Sequence, residues 1–531
     1  MDRFSDLLAR RPRLAALALG LVAALGFPPL HLWPLALAGM AGFAWLLLGR
    51  ETRREAFLCG WLFGWAHFTL TNNWIATAFT YQAEMPAWLG WLAVPLLAIY
   101  LAVWPGLSAL GAWMLASRRG PLAFALALGA FWIAGEWFKS WVFTGYAWGP
   151  FSLALLGGWD RPGAAMVLPF TGTYALSGIA VALCALLAWA FARRRWLPGG
   201  AIAAGLAAAM LAPAGEAAEG SLPLTLVQPN LQQDEIDDPA RFEEQFVRIA
   251  GLSVPRRQVD RRLVLWPESG VPDYLRDGYP QRYYDQMTAA GEPAFARYRI
   301  GQAIGESSLL LTGATDLEIG EVAGYRRAVG AYNTITPIEG NGALGPRYAK
   351  AHLVPFGEYL PMREWLEPIG LSRLVAGTID FIPGPGPQTM DLGDYGKAGM
   401  QICYEIVFSG EVAERGNRPD YIFNPSNDGW FGRWGPPQHL AQARMRAIEE
   451  GLPVLRATTT GISAVIDARG IVRAHVARGK AERIDTTVPP PGDATPFSGM
   501  GHWLTLLWTI ALMLGSLVAM RLKAGYVSAD T

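Results

Sequence analysis

Three residues of different chemical types in this 531-residue chain are suited to nucleophilic catalysis, and the first of them is a cysteine. Cys403 is the only cysteine between residues 216 and 500, so it has no disulfide partner in that region. A lone thiol in an oxidising compartment is a liability unless it is buried or useful. Its position alone leaves two interpretations open, a small core residue or a nucleophile. The apolar run 398–403 predicts a strand that ends at Cys403, where a following turn exposes the thiol and directs backbone amides towards an oxyanion.

A carboxylate and a lysine accompany the thiol. Glu268 comes directly after the apolar run Leu263–Trp266, so it is expected at the carboxyl edge of a strand, where sites collect in α/β sheets. A solvated loop glutamate is the alternative interpretation. Lys350 lies in Arg347–Pro361, where apolar and polar residues alternate, although most lysines in such places are surface residues. A thiol needs a base to ionise it and a cation to hold the oxyanion, and these two residues supply both without a histidine.

The composition indicates a membrane protein and excludes several other classes. Hydrophobic residues make up 52% of the chain and charged residues only 17%, with 22 tryptophans, whereas soluble domains contain about 25% charged residues. Lys plus Arg and Asp plus Glu both number 44, so no basic excess is available to bind nucleic acid. Six scattered histidines, with no CxxC or HxxxH motif, predict neither a metal site nor another cofactor.

Long uncharged segments at both ends of the chain predict membrane spans. Leu14–Gly49 contains 36 residues without one charged side chain, and a single helix of that length would measure about 54 Å against a hydrocarbon core of about 30 Å. The chain must therefore fold back, and Pro28, Pro29 and Pro34 mark the turn. A cleaved signal peptide is the competing interpretation, but further apolar runs follow it. In total, eight spans are predicted near residues 14–27, 33–49, 56–80, 86–116, 121–141, 163–192, 197–213 and 502–520.

The charges of the short loops predict the orientation of these spans. When eight spans are threaded, fourteen basic residues fall on one side, which the positive-inside rule assigns to the cytoplasm. Seven crossings then place residues 216–500 outside the cytoplasm. The fourteen residues are Arg3, Arg10, Arg11, Arg13, Arg50, Arg53, Arg54, Arg118, Arg119, Arg193, Arg194, Arg195, Arg521 and Lys523.

The middle of the chain alternates short β-type runs with amphipathic helical runs, which is an α/β pattern. We therefore expect a transmembrane domain at 1–215, an extracytoplasmic catalytic domain at 216–493, and a last span with a short tail at 494–531. The predicted strands are 222–228, 263–266, 308–313, 331–337, 398–403, 421–424, 453–458 and 463–467, and the predicted helices are 239–249, 292–305 and 438–450.

Several motifs of the chain resemble those of the nitrilase superfamily, and most closely those of the bacterial apolipoprotein N-acyltransferase family. The order Glu268, Lys350, Cys403 is similar to the nitrilase arrangement, and the resemblance extends over essentially the whole chain. The segments that carry it are Pro355–Pro361, Cys403–Phe408, Ser426–Gly432, Gln438-His439 followed by Arg446–Glu449, and Glu136-Trp137 with Phe143–Gly145.

The resemblance implies a polytopic α-helical membrane domain joined to an αββα sandwich domain. It implies Glu268 as general base, Lys350 as the cation that stabilises the tetrahedral intermediate, and Cys403 as nucleophile. It further implies supporting roles for Glu358, which would position the lysine, and for the two residues after the nucleophile, Tyr404 and Glu405. One departure is that no Trp follows Val227–Asn230, so a lipid contact by that aromatic is not transferred.

Aromatic residues in Gly- or Pro-rich segments predict a lipid-contacting rim near the membrane. The rim candidates are Tyr274, Tyr279, Tyr283, Tyr284, Trp365, Trp430, Phe431 and Trp434, and Trp365, Trp430, Phe431 and Trp434 are the predicted lipid contacts. Glu136, in the fifth apolar run, is expected to be a hydrogen-bonded structural carboxylate.

The leading hypothesis is an N-acyltransferase in the bacterial inner membrane, with its catalytic domain facing the periplasm. Cys403 takes an acyl chain from a phospholipid and passes it to an amine, which the resemblance implies is the α-amine of the diacylglyceryl-cysteine of an apolipoprotein. A monomer, with no nucleic-acid partner, is expected. One alternative is a membrane-anchored amidase or nitrilase that uses the same three residues. Another is an inactive scaffold that docks lipoproteins, against which the presence of all three residues argues.

Overall fold

A computed structural model describes residues 10–81, 86–236, 238–366, 368 and 380–528, so Arg3 lies outside the described residues. The described parts of the chain before and after the α/β region are mainly helical. The helices on either side of the α/β region are Pro12–Ala24, Trp33–Leu48, Arg53–Thr71, Ile75–Ala78, Trp88–Leu101, Val103–Ala116, Pro121–Trp141, Leu168–Ala192, Trp196–Leu211, Pro496–Met500 and His502–Ser528.

Four apolar helical segments of the described residues are long enough to cross a membrane: Trp88–Ala116, Pro121–Trp141, Ala164–Ala192 and His502–Leu522. The other four predicted spans are shorter or less apolar. Three correspond to apolar helices of 10–17 residues, and the span predicted at 56–80 is a helix that ends at Thr71 and a separate short turn. The run predicted at 86–116 is interrupted at Ala102, three residues before Pro105, which has no N–H to continue the helical hydrogen bonds.

Twelve strands in the described residues form two six-stranded sheets. The first has the order β12-β1-β2-β3-β4-β5 and the second the order β11-β10-β9-β8-β7-β6. The strands are β1 Pro223–Gln228, β2 Arg262–Leu265, β3 Ser308–Val322, β4 Tyr325–Glu339, β5 Tyr348–Ala349, β6 Thr389–Asp391, β7 Lys397–Met400, β8 Tyr421–Ser426, β9 Val454–Thr458, β10 Ser463–Ile466, β11 Val472–Val476 and β12 Glu482–Thr487.

The sequence predicted the eight central strands and missed β5, β6, β11 and β12. All four end their sheets, and β6, β11 and β12 are only partly buried. The hairpin of β3 and β4 is also longer than predicted, because each strand runs 15 residues and its outer half is partly exposed. Apolar periodicity identifies strands with a buried face, so edge strands and exposed hairpins escape it.

The two sheets pack face to face and confirm the predicted αββα sandwich. One hydrophobic core joins inward side chains of both sheets, among them Leu226 and Leu265 with Phe423 and Leu455. Two further helices, Phe242–Ser253 and Pro293–Ile304, cover the outer face of the first sheet.

The helix Gly435–Glu450, which we call the shared helix, covers the second sheet and belongs to two cores. It has Pro436 in its first turn and ends at Glu450, and the next residue, Gly451, has a φ of 66°, the left-handed conformation that glycine favours. Three of its residues, Leu440, Ala443 and Ala447, pack in the core of the sandwich. Three others, Ala441, Met445 and Ile448, pack in the core of the membrane helices. The shared helix therefore joins the sandwich to the membrane part.

Candidate active site

Cys403 lies three residues beyond the strand that was predicted to carry it. β7 ends at Met400, although Gln401 N still donates to Phe423 O at 3.0 Å. Cys403 instead opens the 3-10 turn Cys403–Val407, with a φ of 50°. A non-glycine residue at positive φ costs on the order of 1–2 kcal/mol, so the surrounding structure must hold this conformation. The thiol is buried, with 5% of the residue exposed.

Glu268 lies three residues beyond β2 and is buried, with both carboxylate oxygens bonded. Its Oε1 accepts a hydrogen bond from Asn333 Nδ2 at 2.7 Å, and its Oε2 accepts one from the backbone N–H of Asn427 at 2.8 Å. Gly313 on β3 allows the close approach, because a Cβ there would lie 2.6 Å from the Cα of Glu268. The same N–H of Asn427 also faces the thiol of Cys403, so the carboxylate and the thiol are neighbours.

Lys350 follows the edge strand β5 and is buried between two carboxylates. Its Nζ donates to Glu358 Oε1 at 2.9 Å and lies 3.6 Å from Glu268 Oε1. Burial opposes its charge, but the two carboxylates outweigh burial and raise the pKa of Lys350 above its ordinary value. The lysine is therefore a permanent cation at the site.

Asn333 on β4 joins the two carboxylates. Its Nδ2 donates to Glu268 Oε1 at 2.7 Å and to Glu358 Oε1 at 3.0 Å. The backbone N–H of Val354 donates to Glu358 Oε2 at 2.8 Å. The amide of Asn333 and the ammonium group of Lys350 together bridge these two neighbouring carboxylates.

The thiol of Cys403 is neutral in the resting site. Burial and the charge of Glu268 raise its pKa well above the ordinary value, whereas Lys350 and the N–H of Asn427 act in the opposite direction. A neutral thiol beside a carboxylate can give up its proton as it attacks, and the adjacent ammonium group stabilises the negative charge that develops.

Glu405 holds the turn after Cys403 against the segment that carries Lys350. Its carboxylate accepts hydrogen bonds from Ile402 N at 2.6 Å, Tyr348 Oη at 2.8 Å and Ala351 N at 2.7 Å. Burial raises the pKa of Glu405. Its geometry is that of a group that positions the site.

Tyr404 faces the membrane part of the molecule. Its ring lies 6.5 Å from that of Trp148 at an interplanar angle of 14°, and 5.1 Å from Phe408. Trp148 Nε1 donates to Gln438 Oε1 on the shared helix at 2.7 Å. Glu136, as expected, is a bonded structural carboxylate, because its Oε1 accepts from Trp132 Nε1 at 2.9 Å and from Phe151 N at 2.8 Å.

The aromatic rim candidates divide into three groups. Trp430 and Trp434 are partly buried, and Phe431 is buried against Trp74 and Trp148, so these three lie where the sandwich meets the membrane helices. Trp365 is separate from them and 77% exposed.

Two of the four tyrosines, Tyr279 and Tyr283, bond to the β3–β4 hairpin, a role that differs from the predicted rim. The hydroxyl of Tyr279 accepts from Leu317 N at 3.0 Å, and that of Tyr283 accepts from Ala328 N at 2.8 Å. Tyr284 is buried, and its hydroxyl donates to Arg276 O. A tyrosine hydroxyl bonds readily to backbone groups, and the sequence does not distinguish a tyrosine bonded in this way from one exposed on a rim.

Three residues without a role predicted from the sequence contact the candidate site: Asn333 and Asn427 bond to Glu268, and His439 Nε2 lies 3.0 Å from the carbonyl oxygen of Cys403. Asn427 lies within the quoted motif Ser426–Gly432, and His439 within the quoted pair with Gln438, but neither was assigned a role. Asn333 lies in the predicted strand 331–337, where a polar residue is expected simply to face solvent. The signal that could have identified Asn333 is its place on β4, which is separated in the sheet only by β3 from β2, the strand that precedes Glu268.

Two family models match the chain. The model described as apolipoprotein N-acyltransferase N-terminal domain covers residues 19–187, and the model described as carbon-nitrogen hydrolase covers residues 224–491. The first corresponds to membrane helices, and the second to the sandwich that contains Glu268, Lys350 and Cys403.

Two apolipoprotein N-acyltransferases are similar to this chain over nearly its whole length. The apolipoprotein N-acyltransferase of Rhodopseudomonas palustris is 32% identical, covering 92% of this chain and 91% of its own. That of Caulobacter vibrioides is 33% identical, covering 98% and 96%. A solved variant of the Nesterenkonia AN1 amidase from the nitrilase superfamily is 17% identical with a TM-score of 0.32, covering 52% of this chain and 94% of its own. The apolar helices and the first two relatives identify a membrane-embedded protein.

Proposed function

The chain belongs to the apolipoprotein N-acyltransferase family, and on that premise we propose that it transfers an acyl chain from a phospholipid to the α-amine of an apolipoprotein. The acceptor is the N-terminal diacylglyceryl-cysteine. The observation that carries the proposal is the direct contact between the turn of Cys403 and the membrane part: Tyr404 packs on Trp148, and the shared helix closes the site from the same side. A thiol in that place can reach a substrate held in the bilayer.

In the first half-reaction Cys403 attacks the ester carbonyl of the phospholipid. Glu268 accepts the thiol proton, the Sγ–C bond forms, and Lys350 stabilises the oxyanion. When the intermediate collapses, the C–O bond to glycerol breaks and the proton passes from the carboxyl to the leaving alkoxide. The products are a lysophospholipid and a thioester on Cys403. Glu358 and Asn333 keep the lysine and the base in place throughout.

In the second half-reaction the α-amine attacks the thioester. Its proton passes through Glu268 to the leaving thiolate, which regenerates the thiol and leaves an amide on the apolipoprotein. An α-amine with a pKa of about 8 has a useful neutral fraction at pH 7, whereas a lysine side chain with a pKa of about 10.4 does not. Selection for the N-terminus therefore has a chemical component. Glu405 and Tyr404 support the site by positioning the turn.

We further propose a monomer in the bacterial inner membrane with the sandwich in the periplasm. The division is a membrane domain at 1–215, a catalytic domain at 216–493 and a last span with a short tail at 494–531. Trp430, Phe431, Trp434 and Trp365 are proposed lipid contacts. The supporting observations are the basic loops on the opposite side and the location of the first three aromatics beside the membrane helices.

The experiment that tests the function separates it from the hydrolase alternative. With phospholipid alone, intact-protein mass spectrometry should show a stable acyl adduct and at most one equivalent of lysophospholipid, because the bilayer and the aromatic contacts exclude water from the thioester. A diacylglyceryl-cysteine peptide with a free α-amine should discharge the adduct, and the N-acetylated peptide should not. Continuous release of fatty acid without an acceptor would favour the hydrolase instead.

The nucleophile and the orientation are tested separately. Cys403→Ala should abolish the adduct, and an adduct of equal mass on that variant would place the nucleophile elsewhere. For orientation, a reporter fused after Pro213 should behave as exported and one fused after Thr531 as cytoplasmic. The opposite pattern would leave the site without access to exported lipoproteins.

A further inference from the structure

A buried cluster of three side chains lies beneath the turn that carries Cys403. His439 Nε2 is 3.0 Å from the carbonyl oxygen of Cys403, and His439 Nδ1 is 3.0 Å from both Asp428 Oδ1 and Arg456 Nη2. We call His439, Asp428 and Arg456 the His439 cluster. Each of the three is at most 1% exposed, so none of them contacts substrate, and the steps described above leave them without a role.

The contacts fix the proton on the imidazole. A carbonyl oxygen only accepts hydrogen bonds, so Nε2 must carry the proton that faces Cys403. Burial and the charge of Arg456 lower the pKa of His439, although Asp428 opposes them, and the ring is therefore neutral at physiological pH. Nδ1 then accepts from Arg456 Nη2, which also bonds to both oxygens of Asp428 at 2.7 and 2.8 Å. The imidazole is thus held as a permanent Nε2–H donor.

The bond to the carbonyl oxygen determines how the next peptide unit lies. In a planar trans peptide the C=O and the following N–H point in opposite directions. Holding the oxygen of Cys403 on the side of His439 therefore turns the N–H of Tyr404 to the other side. The first N–H groups of a helical turn have no acceptor within the turn. Asn424 Nδ2, at 3.4 Å, is a second and longer donor to the same oxygen.

We propose that His439 is a positioning residue for the nucleophilic turn: its Nε2–H holds the Cys403–Tyr404 peptide so that the Tyr404 N–H faces the oxyanion of each tetrahedral intermediate. The inference rests on the proposed function, because it concerns the rate of acyl transfer at Cys403. It also explains how a cysteine with a φ of 50° remains in that conformation. Loss of one oxyanion donor typically reduces kcat by about 10²–10³.

The test is a matched pair of variants of the full-length protein, His439→Gln and His439→Met. The two new side chains are similar in length and volume, and only Gln has a terminal N–H donor that can take the place of Nε2. The rate of the Cys403 adduct is measured by mass spectrometry with phosphatidylethanolamine vesicles, and the thermal midpoint is measured in parallel. We expect His439→Met to lose about 10²-fold in the limiting rate with KM for lipid unchanged, and His439→Gln to recover to within about tenfold of wild type.

Three results would overturn the inference. Equal rates for the Gln and Met variants would show that the donor has no role. A wild-type rate for His439→Met would show that the cluster only fills the core. A ratio of wild-type to His439→Gln rates that changes tenfold between pH 6 and 8 would indicate an acid or base, whereas a positioning role leaves this ratio constant.

Controls separate folding and the proposed function from the inference. His67→Met removes another buried imidazole, which packs on Phe27 and Phe63 among the membrane helices, and its adduct rate should equal that of wild type. If the His439 variants do not fold, Asp428→Asn is measured in the same way, and an unchanged rate would overturn the inference. If wild-type protein forms no adduct, the proposed function itself fails, whatever the variants do.

Discussion

Replacing Asn333 with aspartate should give the active site a new pH dependence. The amide donates to Glu268 at 2.7 Å and to Glu358 at 3.0 Å, and Asn333→Asp replaces this donor by a group of the same shape that can ionise. Each contact between carboxylates at this distance costs about 6 kcal/mol at an effective dielectric constant of 20. Lys350, which is bonded to Glu358 in the same cluster, offsets roughly one of the two contacts.

The remaining contact predicts the pKa of the introduced carboxyl. Because one pKa unit corresponds to 1.36 kcal/mol, about 6 kcal/mol raises it by about four units, from about 3.9 to about 8. Below that pH the introduced group is protonated and donates one hydrogen bond where the amide donated two. Above that pH, the negative charge of the introduced carboxylate displaces Glu268 and Lys350. We therefore expect a variant that is about tenfold slower than wild type near pH 6.5, with a ratio that widens at least tenfold further by pH 9.

The assay is the single-turnover rate of the Cys403 adduct between pH 6 and pH 9, expressed as the ratio of wild type to variant so that the intrinsic pH dependence cancels. Asn341→Asp is the matched control, because Asn341 donates to Glu339 at 3.2 Å in an exposed turn. Its ratio should remain near one. A constant ratio for Asn333→Asp across this range would refute the argument that the donor at position 333 holds the two carboxylates together.

Three other changes have defined outcomes. Burial, with the charge of the adjacent Glu449, raises the pKa of Glu450 from 4.5 to about 7. The contribution of Glu450 to the free energy of unfolding is therefore full below pH 4.5 and is lost as the pH rises through 7. Glu450→Gln should accordingly raise the thermal midpoint at pH 8 but not at pH 4.5. Gly313→Ala should slow adduct formation by about 10²-fold, because its Cβ would displace Glu268, while Gly416→Ala, with no atom within 4 Å, should not. Trp148→Phe should lose about 1 kcal/mol of unfolding free energy with its hydrogen bond to the shared helix, measured by denaturation in detergent.

The sequence indicates the charged residues of the candidate site by their chemical types, and for Glu268 also by its place after a predicted strand. Glu268 follows β2, and Lys350 follows a strand too short to be predicted. Cys403 was expected to close a strand, yet it lies in a turn at positive φ. Composition does not reveal that conformation, because left-handed backbone is usually associated with glycine, and here neighbouring side chains impose it on a cysteine.

The supporting residues were missed for a different reason. Asn333 and His439 each contact a residue that is distant in the sequence. The amide of Asn333 bonds to Glu268, which is 65 residues away in the chain, and the imidazole of His439 contacts Cys403, which is 36 residues away. Sequence periodicity describes which face of an element is buried, and both residues fit an ordinary face. Only the arrangement of the strands brings their polar atoms to the site.

The shared helix has a consequence for how the protein is made. Arg444 is fully buried and donates to the carbonyl oxygens of Gly157 at 3.0 Å and Gly158 at 2.7 Å, which belong to the membrane part. Before the membrane helices assemble, the guanidinium of Arg444 lacks these two carbonyl acceptors, and the apolar side of the shared helix that packs on the membrane helices is uncovered. The packing of the shared helix, and with it of the sandwich, is therefore complete only when the membrane helices are assembled. The turn that carries Cys403, which the shared helix contacts through His439, then acquires its full cover only where the membrane helices are in place.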